Sequence, residues 1–267
     1  MSIDLKHTKQ AFDRIASNYD SRNNQNEILQ WMRSIVHNVY TNELKNGYNV
    51  LELNAGTGID AIFLARNGIK VYATDISPEM IARLKEKTER ENIENILDAK
   101  VISFDEIDQV EEAGFDAAIS NFGGLNCINN FEKLAFDLSE KLNTGGKFIA
   151  VVMNKFCPWE IFYYLLKLDF KNAFRRFKKE GFYADLNGEK VLTYYYSPEK
   201  LGKFFKNNFK IKKIYTLGLF TPPPYLIGIY RRFKTLVKLW MGIDKFIKGL
   251  FPFNRFGDHF IIVMNKK

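Results

Sequence analysis

The chain of 267 residues is 46% apolar and contains only two cysteines and three histidines. This composition is sufficient for a full hydrophobic core, and it argues against a disulfide scaffold or a zinc site. The first 30 residues are polar and no apolar run approaches the roughly 18 residues of a membrane span, so we expect a cytoplasmic protein.

The net charge of +8 is unevenly distributed along the chain. Residues 1–150 hold 16 Lys/Arg and 23 Asp/Glu. Residues 151–267 hold 23 Lys/Arg and 8 Asp/Glu, together with most of the aromatic residues. We therefore expect the second part to provide a basic, aromatic attachment that meets the substrate or a charged surface.

Two helices are predicted at the start of the chain, over residues 8–18 and 25–44. Residues 49–75 follow, reading NVLELNAGTGIDAIFLARNGIKVYATD. An apolar run, a glycine-bearing turn, a helix-period segment and a second apolar run ending on an acid succeed one another there. This order predicts a βαβ unit that binds a nucleotide-like ligand.

The small and acidic residues of this unit have predicted roles. Gly56 and Gly58 allow a sharp turn and a close approach of ligand to backbone. Asp75, at the end of the second strand, can accept both hydrogen bonds of a ribose diol. Glu52 can hold the loop or a ligand ammonium. A dehydrogenase-type dinucleotide site is an alternative, because its last glycine would fall at Ala61, where alanine is sometimes accepted.

The rest of the chain continues the alternation of strands and helices. Ser77 and Pro78 begin a helix that ends near residue 92. Strands are predicted over residues 100–104, 115–120, 147–153, 210–217 and 259–265, with helices over 134–142 and after Ser197. The pattern predicts a doubly wound α/β fold with a seven-stranded, mostly parallel sheet.

A family resemblance adds to these observations. Residues 52–58, E-L-N-A-G-T-G, resemble motif I of the class I S-adenosylmethionine-dependent methyltransferases, acid-x-G-x-G-x-G, with Asn54 in place of the first glycine. Asparagine tolerates positive φ best among non-glycine residues, so the turn can survive the change. Residues 12–20, F-D-R-I-A-S-N-Y-D, resemble the quinone- and biotin-pathway methyltransferases. The resemblance implies a Rossmann-like fold whose last strand is antiparallel and inserts between strands five and six.

The resemblance also implies a cofactor, S-adenosyl-L-methionine, and its binding residues. Tyr19 would close the pocket, Ile76 and Met80 would pack on the adenine, and Asp105 would accept from the exocyclic amine. Packing alone would equally explain Tyr19, and exposure to solvent would equally explain Asp105. The predicted cofactor-binding residues are Tyr19, Glu52, Asn54, Ala55, Gly56, Gly58, Asp75, Ile76, Met80, Phe104, Asp105 and Asn121.

The catalytic requirements depend on the methyl acceptor. An acceptor that is already nucleophilic needs little more than positioning, whereas a phenol or carbon acid needs a base. The start of the last strand should lie at the carboxyl edge of the sheet, so His259 is the candidate base, with Asp258 or Glu160 as alternatives. Cys127 and Cys157 each follow a strand, as in RNA cytosine-C5 methyltransferases, but their local motifs do not match.

Two insertions are expected beyond the family core, over residues 155–196 and 220–257. The core itself would comprise residues 1–154, with the N-terminal helices and cofactor site, then a helix and strand over 197–219 and the terminal strand over 258–267. Each insertion carries an apolar stripe at helical spacing with basic residues beside it. The stripes are Trp159, Phe162, Tyr163, Leu166, Phe170, Phe174 and Phe177, then Tyr225, Ile229, Phe233, Leu236, Trp240, Ile243 and Ile247.

These stripes have three interpretations. They would form a lid with a solvated cationic face, a hydrophobic substrate tunnel whose cationic rim docks on anionic lipid, or a nucleic-acid surface. The sequence thus predicts a methyltransferase acting on oxygen, carbon or nitrogen of a small or lipid-like acceptor, with peripheral contact to the inner membrane face as a further expectation. An RNA methyltransferase and a non-catalytic cofactor-binding module are the alternatives. No N-P-P-Y signature follows strand four, which disfavours amino-group methylation of nucleic acid.

Overall fold

A seven-stranded sheet with helices on both faces forms the centre of the computed structural model, which describes residues 3–186 and 188–267. The helices are α1 Ile3–Ile15, α2 Tyr19–Asn24, α3 Glu27–Glu43, α4 Ile59–Arg66, α5 Pro78–Glu91, α6 Glu132–Lys141, α7 Pro158–Leu166, α8 Phe170–Ala173, α9 Pro198–Phe205, α10 Ile227–Arg232 and α11 Lys234–Ile247. The strands are β1 Asn49–Leu53, β2 Lys70–Asp75, β3 Leu97–Val101, β4 Phe115–Ser120, β5 Leu142–Met153, β6 Phe182–Leu186, β7 Glu189–Thr193, β8 Phe209–Leu217 and β9 His259–Lys266.

The strand order is β3-β2-β1-β4-β5-β9-β8. The first five strands of this order pair in parallel, whereas β9 runs antiparallel to both β5 and β8. The predicted doubly wound α/β fold and the place of the last strand are therefore confirmed. Because the carboxyl ends of β1, β2 and β4 share one edge, the loops that follow them meet there.

Each face of the sheet is covered by a separate apolar cluster, as expected for parallel strands buried on both sides. On one face α3, α4, α5, α10 and α11 contribute side chains such as Met32, Leu84 and Val237. On the other face α6 and α9 pack around Phe148 and Phe205. Among the described residues, no helix is both long enough and apolar enough to cross a membrane.

The third strand lies three residues earlier than predicted. Instead of extending to residue 104, β3 ends at Val101, and a 3₁₀ turn occupies Phe104–Gln109. The reason is local: the backbone N–H of Ser103 donates to the Glu106 carboxylate at 3.2 Å, and the Ser103 side chain completes a capping box. This box starts a helical turn where the apolar pattern alone suggests strand.

The continuous helical stripe predicted for the first insertion is wrong. Helix α7 ends at Leu166, and Leu168 takes a left-handed backbone with φ of 56° before the short α8. The chain then forms the unpredicted hairpin of β6 and β7, which packs beside α1. Much of the stripe consequently remains exposed, including Phe162 and Phe170.

The stripe predicted for the second insertion also differs from the buried face. Phe233, with φ of −124° and ψ of 46°, separates α10 from α11. The buried apolar side chains are those of Tyr230, Val237 and Met241. On the predicted stripe, Ile229 and Trp240 are partly buried against the core, whereas Leu236 is exposed. The break at Phe233 changes the direction of the helix, so a single periodicity cannot describe both parts.

Gly58 provides a test of how tightly the first turn packs against α5. Its φ is +80°, and a Cβ there would lie 2.0 Å from Cδ1 of the fully buried Leu84. We expect Gly58→Ala to lower the free energy of unfolding by about 1–2 kcal/mol for backbone strain and roughly 1–3 kcal/mol more for overpacking.

Urea denaturation of Gly58→Ala and of Gly47→Ala would measure the two contributions. Gly47 has a similar φ of +83°, but a Cβ added there would meet no atom within 4 Å, so its substitution reports the backbone cost alone. Equal losses in the two variants would show that Leu84 accommodates the methyl group.

Candidate active site

The turn after β1 is shaped by three left-handed residues. Asn54, Gly56 and Gly58 have φ of 48°, 56° and 80°, so the expected tolerance of positive φ at Asn54 is confirmed. The Asn54 side chain also links two loops: its Nδ2 donates to the carbonyl of Asn121 at 2.7 Å, and its Oδ1 accepts from Ser120 Oγ at 2.6 Å. The amide therefore ties the β1 turn to the loop after β4.

Asp75 lies at the centre of this edge. One carboxylate oxygen accepts from the backbone N–H of Gly56 and the other from that of Ser77, both at 2.8 Å. Burial raises the pKa of Asp75 to about 6 even though these backbone hydrogen bonds favour the ionised form. The carboxylate thus joins the ends of β1 and β2 and faces the space between them.

A pocket of about 820 Å³, open to solvent, occupies this space. Its wall includes these predicted residues: Tyr19, Asn54, Ala55, Gly56, Asp75, Ile76, Met80, Phe104 and Asn121. Three other predicted residues do not line it. Glu52 is buried at the end of β1, Gly58 packs against Leu84, and Asp105 accepts from Ser103 Oγ at 2.5 Å beside the pocket. Ile102 and Ser103, where β3 ends, line the wall near Phe104 instead.

The N-terminal helices cover one side of the pocket. Leu5, Thr8 and Phe12 of α1 line it together with Tyr19. Helix α1 is held in place because Ser77 Oγ donates to its Asp13 at 2.5 Å, and because its Arg14 forms an ion pair with Glu189 of β7. The first insertion therefore supports the helix that covers the pocket.

Arg33 of α3 is a wall residue that the sequence patterns did not indicate. Its guanidinium pairs with Asp60 and lies 4.7 Å from the centre of the Phe122 ring. Burial would raise the pKa of Asp60, but Arg33 and His37 outweigh it and hold that pKa well below its usual range. The helical pattern placed Arg33 on α3 but could not show that the side chain turns inward, because a solvated arginine has the same pattern.

The residues present fit S-adenosylmethionine. Asp75 can accept from a ribose diol, the apolar wall of Ile76 and Met80 can hold a purine, and Arg33 can pair with a carboxylate. In the described part of the chain, Nδ2 of Asn121 is buried without a hydrogen-bond partner, and its Oδ1 accepts from Tyr40 at 2.7 Å. An unsatisfied donor on a pocket wall is expected where a ligand completes the site.

Glu52 provides a second unsatisfied atom beneath the turn. Its Oε2 is buried with no hydrogen-bond partner among the described residues. Burial, followed by the nearby Asp60, raises the pKa of Glu52 well above its usual range. A cationic group nearby would restore the ionised form, but Glu52 does not line the pocket, so its contact with a ligand ammonium stays a prediction.

The three candidate bases lie together at the start of β9. His259 Nδ1 is 2.9 Å from the Asp258 carboxylate, and its ring meets the Phe122 ring edge-on at 5.9 Å between centroids. Arg176 binds Asp258 at 2.6 Å and Glu160 at 2.8 Å. These partners outweigh burial and lower the pKa of both carboxyl groups. Since each carboxylate is already ion-paired with Arg176, His259 is the remaining candidate base.

The cysteines do not provide a nucleophile. Cys127 lines the pocket and Cys157 is buried next to Asp258, and both are free thiols. Burial raises the pKa of each thiol to about 12. A protonated thiol is a weaker nucleophile than a thiolate, so covalent catalysis through either residue is disfavoured at neutral pH.

Comparison with known proteins identifies similar chains. Residues 50–146 match the family model Methyltransf_25, described as a methyltransferase domain. An uncharacterized protein of Methanocaldococcus jannaschii is 28% identical over 232 residues, which are 84% of each chain. The demethylmenaquinone methyltransferase of Tropheryma whipplei is 30% identical over 157 residues, 56% of this chain and 62% of the relative. The match therefore spans less than two thirds of that relative's length.

A solved structure shares the fold. It is a putative S-adenosylmethionine-dependent methyltransferase from Listeria monocytogenes, with a TM-score of 0.60 and 20% identity. The alignment covers 86% of this chain and 96% of that one. The Rossmann-like methyltransferase fold therefore extends well beyond the residues matched by the family model.

Asp75 makes the cofactor affinity dependent on pH. Because its pKa is raised to about 6, the carboxyl is protonated below that pH. It then no longer has the negative charge that attracts the ribose hydroxyls and the cationic ligand. We expect the affinity for S-adenosylmethionine in calorimetric titration to fall by up to about tenfold per pH unit below about 6. Asp75→Asn should bind at least roughly tenfold more weakly at neutral pH and show no such dependence.

Asp105→Asn is the matched control, since it makes the same chemical change at an acid beside the pocket wall. Its affinity should equal that of the wild type. An unchanged affinity in Asp75→Asn would contradict the ribose assignment. A loss of affinity confined to Asp105→Asn would instead support the contact between Asp105 and the adenine that the resemblance predicts.

Proposed function

Because the chain is a class I S-adenosylmethionine-dependent methyltransferase, we propose that it methylates a small, hydrophobic, lipid-like acceptor on oxygen, carbon or nitrogen. The observation that carries the proposal is the position of Phe122, between the cofactor pocket and the His259–Asp258 pair. The similar protein of Tropheryma whipplei is named for demethylmenaquinone, an acceptor of this chemical kind.

Phe122 is held in an uncommon conformation. Its φ is 37°, a left-handed value that is costly for a bulky residue and is found mainly where the surrounding structure imposes it. The ring is fixed between Arg33, at 4.7 Å, and His259, at 5.9 Å. Together with the neutral thiol of Cys127, it gives this end of the pocket an apolar wall against which a flat or prenylated acceptor can pack.

His259 is suited to receive a proton from such an acceptor. When Nδ1–H donates to Asp258, the tautomer leaves Nε2 free to accept. Bound S-adenosylmethionine supplies a methyl group on a sulfonium centre. The acceptor's proton would pass to Nε2 of His259 as the acceptor is methylated. Asp258 then stabilises the imidazolium, and Arg176 positions Asp258.

Methyl transfer from labelled S-adenosylmethionine would test the acceptor class. The purified protein is incubated separately with a short-chain prenylated hydroquinone, with dispersed phosphatidylethanolamine and with RNA. We expect label in the organic extract of the hydroquinone or the phospholipid. Label in RNA alone would contradict the proposal, as would cofactor binding without label in any of the three.

His259→Gln tests the base. We expect kcat for a phenolic acceptor to fall by about 100-fold or more, because proton transfer loses its acceptor group. The affinity for S-adenosylmethionine, measured by calorimetry, should remain unchanged. A more acidic, electron-poor acceptor analogue should lose less activity, which a purely structural role for His259 would not produce.

His7→Gln is the control for this substitution, because His7 is exposed on α1. It should retain wild-type kcat. If His259→Gln retains full kcat with a phenolic acceptor, then His259 does not act as the base.

A further inference from the structure

The outward side of α11 exposes a row of large apolar side chains. The residues are Leu236, Leu239, Ile243 and Phe246, and the segment that follows the helix adds Leu250 and Phe251. We call these six residues the outer ridge. Exposed fractions reach 62% for Leu239, 83% for Phe246 and 78% for Phe251. Single exposed apolar residues are ordinary, but a contiguous row of this kind marks an interaction site.

The helix has three distinct sides. With 3.6 residues per turn, Val237, Met241 and Asp244 fall on one side, and all three are buried against the core. The outer ridge falls on the opposite side. A third side, between them, carries Lys234, Lys238 and Lys245. The sequence of α11 therefore provides for packing on the core and also for a second apolar contact bordered by cations.

The charges around the outer ridge have one sign. Residues 227–250 contain six Lys/Arg and a single acid, Asp244. That acid is buried and accepts from the backbone N–H groups of Phe220 and Thr221 at 2.9 and 2.8 Å. The exposed charge of this segment is thus wholly positive, so its complement is an anionic surface.

We infer that the outer ridge docks on the surface of an anionic lipid membrane. Apolar side chains that enter the acyl region and lysines that meet the headgroups are the two contributions by which an interfacial helix binds. The inference does not depend on the identity of the methyl acceptor, because binding to membranes can be measured without methyl transfer.

Other occupants fit the surface less well. The lysines would attract nucleic acid, but single-stranded nucleic acid is also held by aromatic stacking, and most of the outer ridge is aliphatic. A second copy of the chain would bury the apolar residues but would bring two rows of lysines together, which like-charge repulsion opposes. Lipid satisfies both the apolar row and the cations at once.

The docking surface is connected to the region around the active site. Trp240, on α11, contacts Trp159 of α7 with ring centroids 5.5 Å apart. Just before α10, Tyr225 donates to Glu160 at 2.8 Å, within the network that includes Arg176 and Asp258. Asn26, at the start of α3, donates to the carbonyl of Pro224 at 2.9 Å. A docked α11 would therefore be linked through these contacts to the elements that carry Arg33 and His259.

Co-sedimentation of the full-length protein with vesicles tests the inference. Vesicles of phosphatidylcholine alone are compared with vesicles that also contain phosphatidylglycerol. We expect binding to the anionic vesicles and about 100-fold weaker binding by Lys234→Gln/Lys238→Gln/Lys245→Gln, since each lysine contributes about fivefold. Leu239→Ser/Phe246→Ser should also lose at least about tenfold, even at low salt.

Matched variants on the other face of the molecule serve as controls. Phe136 is a 58% exposed phenylalanine on α6, so Phe136→Ser should bind like the wild type. Lys203→Gln/Lys206→Gln/Lys210→Gln removes the same charge from exposed positions on and after α9 and should have less effect than the α11 triple variant. The substituted side chains are exposed, and unchanged thermal melting would show that each variant folds.

Three outcomes would overturn the inference. Equal losses in the two triple-lysine variants would indicate attraction by net charge alone. RNA binding that depends on the α11 lysines, without vesicle binding, would assign the surface to nucleic acid. A dimer in light scattering that dissociates in Leu239→Ser/Phe246→Ser, again without vesicle binding, would assign the outer ridge to self-association.

Discussion

A buried guanidinium, that of Arg176, joins the first insertion to the end of the sheet. It binds the carboxylates of Asp258 and Glu160 and donates to the backbone carbonyls of Asn154 and Asp258 at 3.0 and 2.9 Å. Burying such an ion costs several kcal/mol in its own right, and only partners of opposite charge in good geometry offset that cost. The arrangement of α7, of the start of β9 and of His259 therefore depends on this one side chain remaining paired.

Asn54 shows how a departure from the family pattern is accommodated. The left-handed turn survives because asparagine tolerates it, and the side chain then occupies space that glycine would leave empty. That space exists because Gly124 has no side chain: a Cβ there would lie 2.2 Å from Asn54 Cγ. This amide accepts from Ser120 and donates to the carbonyl of Asn121, which couples the cofactor turn to the loop that carries Phe122. A shift of one loop would thus displace the other.

Local patterns were sufficient for most of the fold and for much of the pocket. Hydrophobic periodicity defines the βαβ unit, and Ser77 and Pro78 mark the start of the helix that follows it. Short-range stereochemistry places Asn54, Gly56 and Asp75 at the ends of neighbouring strands. Patterns failed where a local contact or break outweighed periodicity. The capping box at Ser103 ended β3 early, and the breaks at Leu168 and Phe233 divided stripes that look continuous in the sequence.

The sequence by itself determined the class of fold, the succession of strands and helices along the chain and the nucleotide-type turn, because these depend on residues close together in the chain. Only the tertiary structure decided which charged side chains are buried. Arg33 and Arg176 have the same sequence pattern as solvated helix residues, yet they meet Asp60, Glu160 and Asp258 in the interior. Such pairs form between residues distant in sequence, so their energy depends on how the elements pack, which no local pattern of residues contains.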